Sequence, residues 1–224
     1  MLFSTNPAEY LPNLNFFFRF KYVNKFIIVD DIQYSKNSFM NRAKINTTRG
    51  SSWLTVPVRS KNQDKQILKD VKIINETNWC RKHWNTLYHN YQMAPYFEHY
   101  ASVFSRIYNR KWNYLIDLNM EFIEKFKEIL NINTGTILSS ALNSSFRGSE
   151  KIVKMALQIQ CDQYFVNISY KDHLDRPLFE QQGIELCYFN LNQKNNRQNW
   201  TDYDPCTSIV DLLFYKGPES YLII

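Results

Sequence analysis

The segment Phe26-Ile27-Ile28-Val29-Asp30-Asp31 runs from four apolar, β-favouring residues straight into two carboxylates. Such a run has no polar face, so it reads as a buried strand that delivers acid groups to its C-terminal end. In open α/β sheets that end is where ligands bind. Gln33 follows two residues later and Asn41-Arg42 further on, which adds an amide and a fixed cation to the same rim.

Other strand-like stretches alternate with helical ones. Met1–Thr5, Lys25–Val29, Ser52–Val58, Val71–Ile74, Thr136–Leu138, Gln163–Val166 and Glu185–Phe189 read as strands. Helical spacing marks Leu14–Val23, Trp79–Tyr91, Phe97–Tyr108, Trp112–Leu130, Gly148–Ile159, Asp172–Gln182 and Ser208–Phe214. Gly183 and Gly217 stand where helices stop. Asp30–Thr48 reads as a long functional loop. Alternation of this kind predicts an α/β fold, an open, mostly parallel Rossmann-like sheet, with a helical insert or cap over about 79–130. The 224 residues are expected to form a single domain, 1–224.

Composition narrows the function classes. With only 5 glycines, a glycine-rich phosphate loop is not expected. A net charge of +6 favours anionic ligands, but the basic residues are dispersed, so nucleic acid is not expected as a partner. No stretch approaches the apolar length needed to span a bilayer, and no signal peptide opens the chain. The expected location is the cytosol, with Cys80, Cys161, Cys187 and Cys206 as reduced thiols. No CxxC pair occurs, and His83 and His89 are six apart rather than four, so no metal site is expected.

Among polar residues, Asp31 is a strand-end acid that can accept a proton or hold an amine. On a continuing strand Asp30 and Asp31 would face opposite ways, with Asp31 and Gln33 sharing a side. Arg42 suits phosphate or carboxylate through its forked guanidinium. His83 is a candidate general base by virtue of its ordinary near-neutral pKa, or else a histidine packed among aromatics. Ser139-Ser140, with Ser144, Ser145 and Arg147 beyond, can donate hydrogen bonds to phosphate or simply shape a turn. Near Cys206, Thr207 or Ser208 reads as a helix cap, with Asp211 completing a capping box.

Several short motifs fall in one order along the chain. They are Asn6-Pro7 with Tyr10-Leu11-Pro12, Val29-Asp30-Asp31-Ile32-Gln33-Tyr34, Asn41-Arg42, Trp53-Leu54-Thr55-Val56-Pro57-Val58, Lys82-His83-Trp84, Ala94-Pro95-Tyr96-Phe97, Ser139-Ser140 and Ser208–Leu213. In this the chain resembles the WbqC-like family of bacterial proteins. It departs from the family at Asn6, Asn13 and Asn15, and at Asn167-Ile168-Ser169 before Tyr170. The resemblance implies a role in surface-polysaccharide (O-antigen, lipopolysaccharide) loci, beside nucleotide-sugar enzymes.

The activity so implied is a transferase that moves an acyl or aminoacyl group from a carrier-protein thioester to the amine of a nucleotide-linked amino sugar. The partners would be that sugar and an acyl carrier protein. No tightly bound cofactor is expected, the phosphopantetheine thioester being the donor. His83 and Asp31 would be catalytic, and Pro7, Tyr10, Gln33, Asn41, Arg42, Ser139, Ser140, Arg147 and Tyr170 would bind substrate. The alternatives are a noncatalytic nucleotide-sugar or carrier-protein binding module and a nucleotidyltransferase or ATP-dependent ligase. The last follows from a layout similar to HIGH-type nucleotidylyltransferases, although the HxGH signature is missing.

Overall fold

A computed structural model describes residues 1–59, 66–142, 146–190 and 206–224. Ser144, Ser145 and Lys61 lie outside the described residues. Five parallel strands form the central sheet: β1 (Leu2–Asn6), β2 (Lys25–Ile28), β5 (Gly135–Leu138), β6 (Gln163–Asn167) and β7 (Glu185–Phe189). Their order is β5-β2-β1-β6-β7. The chain therefore builds outward from β1 in one direction, then crosses to the other side of β1 to lay down β6 and β7. The crevice between the ends of β1 and β6 is the switch point of the sheet.

Alternation along the strands divides the core. Phe26 and Ile28 join the larger cluster, which is filled by α1 (Leu14–Tyr22), α2 (Trp79–Tyr91), α3 (Phe97–Tyr108), α4 (Leu115–Ile129) and α7 (Ile209–Lys216). Ile27 and Phe3 join the smaller one, against α5 (Gly148–Gln158) and α6 (Arg176–Gln181). Both faces of the sheet are thus covered, as a parallel sheet requires. The large core is aromatic: Phe20 stacks on Phe26 with centroids 3.7 Å apart, and Phe122 and Phe126 pack against Phe104.

The structure redraws several predicted segments. The loop expected over Asp30–Thr48 contains β3 (Arg42–Thr47), which pairs antiparallel with β4 (Gly50–Thr55) in a separate two-stranded sheet. The strand expected at Ser52–Val58 accordingly starts earlier and stops before Pro57. Val71–Ile74 makes only isolated bridges, to Val58 and Tyr114. Helix α4 begins at Leu115, because Trp112 turns inward and its indole donates to the Ile107 carbonyl at 2.9 Å. The helix expected from Asp172 begins at Arg176, with Asp175 capping it and a 3-10 turn over Ile168–His173 before it. Gly183 and Gly217 do follow helices, with φ of 68° and 54°. A side chain at Gly217 would collide with the Tyr96 ring.

The end of the chain locks the two sheets together. Ser208 caps α7 by accepting from the Val210 N–H at 3.3 Å. Its own N–H donates to the Lys44 carbonyl on β3, and Ile209 N–H donates to Pro12. Asp211 therefore does not close a capping box. Its carboxylate instead accepts from the Tyr91 hydroxyl at 2.6 Å and from the Asn46 backbone at 3.4 Å.

Burial pushes the Asp211 pKa up to about 6 against the hydrogen bonds that favour its charge. Folding therefore stabilises the protonated form. The contribution is complete below the unfolded value of 3.8 and is lost as pH rises through 6. Asp211→Asn keeps an acceptor but cannot ionise. In urea melts, the stability of this variant relative to the parent is expected to rise by roughly 2–3 kcal/mol between pH 4 and pH 7. An unchanged difference across that range would show that Asp211 titrates normally.

Candidate functional site

Strand β2 ends at Ile28, and the backbone bends at Asp31, so the pleat no longer separates the two acids. Contrary to the strand-based expectation, both carboxylates meet Ser139. Its hydroxyl lies 3.1 Å from Asp30 Oδ1 and forms a short hydrogen bond with Asp31 Oδ1. Asp30 is buried and fully engaged: Oδ1 also accepts from the Ser140 N–H at 2.9 Å, and Oδ2 accepts from the Ser140 hydroxyl at 2.6 Å. This acid is a fastener between the end of β2 and the turn that follows β5.

Asp31 differs. Its Oδ1 also takes a short ion-paired bond from Lys151, in the first turn of α5. Its Oδ2 has no hydrogen-bond partner among the described residues. Burial raises the Asp31 pKa, but the bonds from Lys151 and Ser139 outweigh it, and the net shift is downward. The group is an anion at neutral pH with one oxygen uncommitted. Lys151 was not singled out from sequence, although it lies four residues before Met155, on the buried stripe of α5. A cation on an apolar stripe signals a buried counter-charge.

The same C-terminal edge continues across β1 to the switch point. Beyond β1, Glu9 is buried; its Oε1 accepts from the Asn6 amide at 2.7 Å, and its Oε2 has no partner among the described residues. Burial raises the Glu9 pKa despite the attraction of Arg19. Arg19 donates to the Thr5 carbonyl at 3.0 Å and interacts electrostatically with Tyr164 and Tyr170. Glu9 had no sequence signal, being an acid flanked by the buried Ala8 and Tyr10 in a Pro-rich turn. Pro7 lies just past β1, and Tyr170 lies past β6 with its side chain exposed. Strand ends sit about 4.8 Å apart, so the row from Ser139 through Asp31 and Glu9 to Tyr170 spans roughly 15 Å.

The remaining expected residues fall elsewhere. His83 is buried, not poised at the rim. The Tyr10 hydroxyl donates to its Nδ1 at 2.8 Å and accepts from Tyr108 at 2.5 Å, and the ring's other N–H serves the Thr55 carbonyl. Desolvation lowers its pKa to about 4, so the ring is neutral and both nitrogens are occupied. A base of that strength, with no free nitrogen, is a core connector. Asn41 spends its amide on the Val56 carbonyl, while Arg42 stacks over Trp53 at 4.1 Å. Gln33 is exposed beside an isolated bridge to Ile67. Arg147 is the exception: it is the exposed cap residue of α5, its carbonyl accepting from the N–H of Lys151, so it stands beside the rim. The rim therefore unites Asp31, Ser139 and Ser140, with Pro7 and Tyr170 along the same edge. Tyr10 and His83 form a separate buried pair.

Comparison with known proteins adds the family. The model of the WbqC-like protein family matches residues 8–223. The chain belongs to the WbqC-like family. Among curated relatives, it is 29% identical over 215 residues to the uncharacterized protein Rv1507c of Mycobacterium tuberculosis. That alignment covers 95% of this chain and 93% of the relative. No solved structure matches the chain. Among the described residues, no helix of this WbqC-like protein is long and apolar enough to cross a membrane.

The Asp31–Lys151 pair makes its own pH signature. A depressed carboxylate pKa contributes stability above the unfolded value of 3.8, and that contribution is lost as pH falls through the folded one. Lys151→Met is expected to cost about 1–3 kcal/mol at pH 7, less than a fully buried pair because Asp31 is partly open to water. The difference should shrink as pH falls below 3.8. Equal stability of the two chains at pH 7 would mean that the pair contributes nothing.

Proposed function

We propose that this WbqC-like protein is a transferase of surface-polysaccharide biosynthesis, moving an acyl or aminoacyl group from a carrier-bound thioester to the amine of a nucleotide-linked amino sugar. The observation that carries this reading is the open Oδ2 of Asp31. It is an ionised acceptor at the C-terminal edge of a parallel sheet, held in place by Lys151 and Ser139. An acceptor ammonium is the natural guest of such a group. Tyr170 supplies an exposed hydroxyl along the same edge for sugar or donor carbonyl.

In this scheme the bound ammonium first loses one proton to solvent, the free amine attacks the thioester carbon, and the nitrogen then passes a second proton to Asp31 Oδ2. The N–C bond forms, the C–S bond breaks, and the departing thiolate collects the proton. Asp31 is a weak base, so its larger contribution is to hold the nitrogen in attack geometry and to stabilise positive charge on it during addition. His83 takes no part. This departs from the sequence expectation, because its two ring nitrogens are already committed.

One observation favours the second reading, a binding module without chemistry: His83, the expected general base, is buried in the aromatic core rather than at the rim. A single experiment separates the two. Purified protein is incubated with an acyl-phosphopantetheine thioester and a uridine or thymidine diphosphate amino sugar, and the sugar is followed by mass spectrometry. The transferase is expected to add the acyl mass. Asp31→Asn should slow that addition at least 100-fold, while thermal stabilisation by the nucleotide sugar persists. Stabilisation with no mass gain in the parent protein would leave the binding module. Full activity in both Asp31→Asn and Lys151→Met would remove the rim from the chemistry.

A further inference from the structure

The insert carries a cleft of its own. A cavity of about 630 Å³ opens at the start of α2, walled by Trp79, Arg81, Trp84, Tyr108, Arg110 and Lys111, among others. A second cavity of about 330 Å³ shares Asn75, Glu76 and Lys111 with it and adds Arg59, Lys72 and Tyr114. Neither is lined by Asp31, Ser139, Ser140 or Lys151. The volume of the first falls in the range of small-molecule sites.

Its electrostatics are one-sided. The two walls hold five cations, Arg59, Lys72, Arg81, Arg110 and Lys111, against the single carboxylate of Glu76. Glu76 is paired with Arg59, and Arg110 with Glu121. Arg81 and Lys111 have no carboxylate partner among the described residues. The N-terminus of the 13-residue α2 adds its positive dipole end, and the side chain of its cap residue, Asn78, does not close the first turn. Trp79, which lines the wall, is buried, and its indole N–H has no partner among the described residues. A buried donor without an acceptor is costly unless something meets it.

The wall also offers ring faces. Trp84 is half-buried, and Tyr108 lies 6.5 Å from it at 32°. Cys80 is no nucleophile here, since burial pushes its thiol up to about 11. Cations, a helix N-terminus and aromatic faces in one cleft suit an anion attached to a flat ring. We propose that this cleft is a second ligand site, for an organic diphosphate of the nucleoside diphosphate class, with the phosphates at Arg81, Lys111 and the start of α2 and the ring against Trp84. The site does not depend on the transferase reading of the rim.

Uridine diphosphate and inorganic pyrophosphate are titrated into the full-length protein by calorimetry, with tryptophan fluorescence as a local reporter. Uridine diphosphate is expected to bind at least fivefold more tightly than pyrophosphate and to quench the fluorescence. Arg81→Glu with Lys111→Glu, both exposed positions, should weaken both ligands at least tenfold. Trp84→Phe should remove most of the quench. Asp31→Asn and Lys151→Met should leave this binding unchanged, as should the control Lys154→Glu on α5. No binding, equal affinity for the two ligands, or indifference to the 81/111 reversal would overturn the proposal. Loss of binding in the rim variants instead would assign the ligand to the rim and overturn it equally.

Discussion

The rim of this protein exists because one buried carboxylate is completely spoken for. Asp30 accepts three hydrogen bonds from Ser139 and Ser140, and so ties the turn after β5 to the end of β2. A buried carboxylate is costly unless its oxygens are met, and the Ser-Ser turn meets them with two hydroxyls and a backbone N–H. With Asp30 fixed, the next residue has little freedom. Asp31 is delivered to Lys151 on α5, with its Oδ1 shared between Lys151 and Ser139. The adjacent acids thus divide the labour, one holding the architecture and the other remaining available.

The same division recurs around Tyr10. A chain of hydrogen bonds runs from Tyr108 through Tyr10 to His83 and on to the Thr55 carbonyl, crossing from α3 and α2 to the β1 loop and β4. It is a polar wire through an aromatic core, in which every member both fills space and satisfies a neighbour. Its sign under titration is opposite to that of Asp211. Because the folded His83 resists protonation, its contribution is complete above 6.5 and is lost as pH falls toward 4. The two buried groups therefore pull the pH–stability curve in contrary directions across the same interval.

Much of this was legible in the residues. Apolar runs of four or five gave the parallel strands, 3.6-residue spacing gave the long helices, and the strand-end acids marked the C-terminal end of β2. The Ser139-Ser140 turn was visible as a hydrogen-bond donor. What escaped detection depended on contacts distant in sequence. The pairing of Arg42–Thr47 with Gly50–Thr55 was hidden because β3 is polar on its outer side, so it read as loop. Lys151 looked like one lysine among many until its stripe was seen to face Asp31. His83 kept its textual neighbours but lost its expected role, because burial, which spacing does not report, decides whether an imidazole is a base or a beam.

Helix α7 has a consequence for how the molecule comes into being. Its first turn seals to Lys44 on β3 and to Pro12 after β1, and its Asp211 reaches Tyr91 on α2. These contacts join residues far apart in sequence, Tyr91 with Asp211 and Lys44 with Ser208. Closing loops of that length is entropically costly, so the docking of α7 is expected to follow the formation of the segments it clasps.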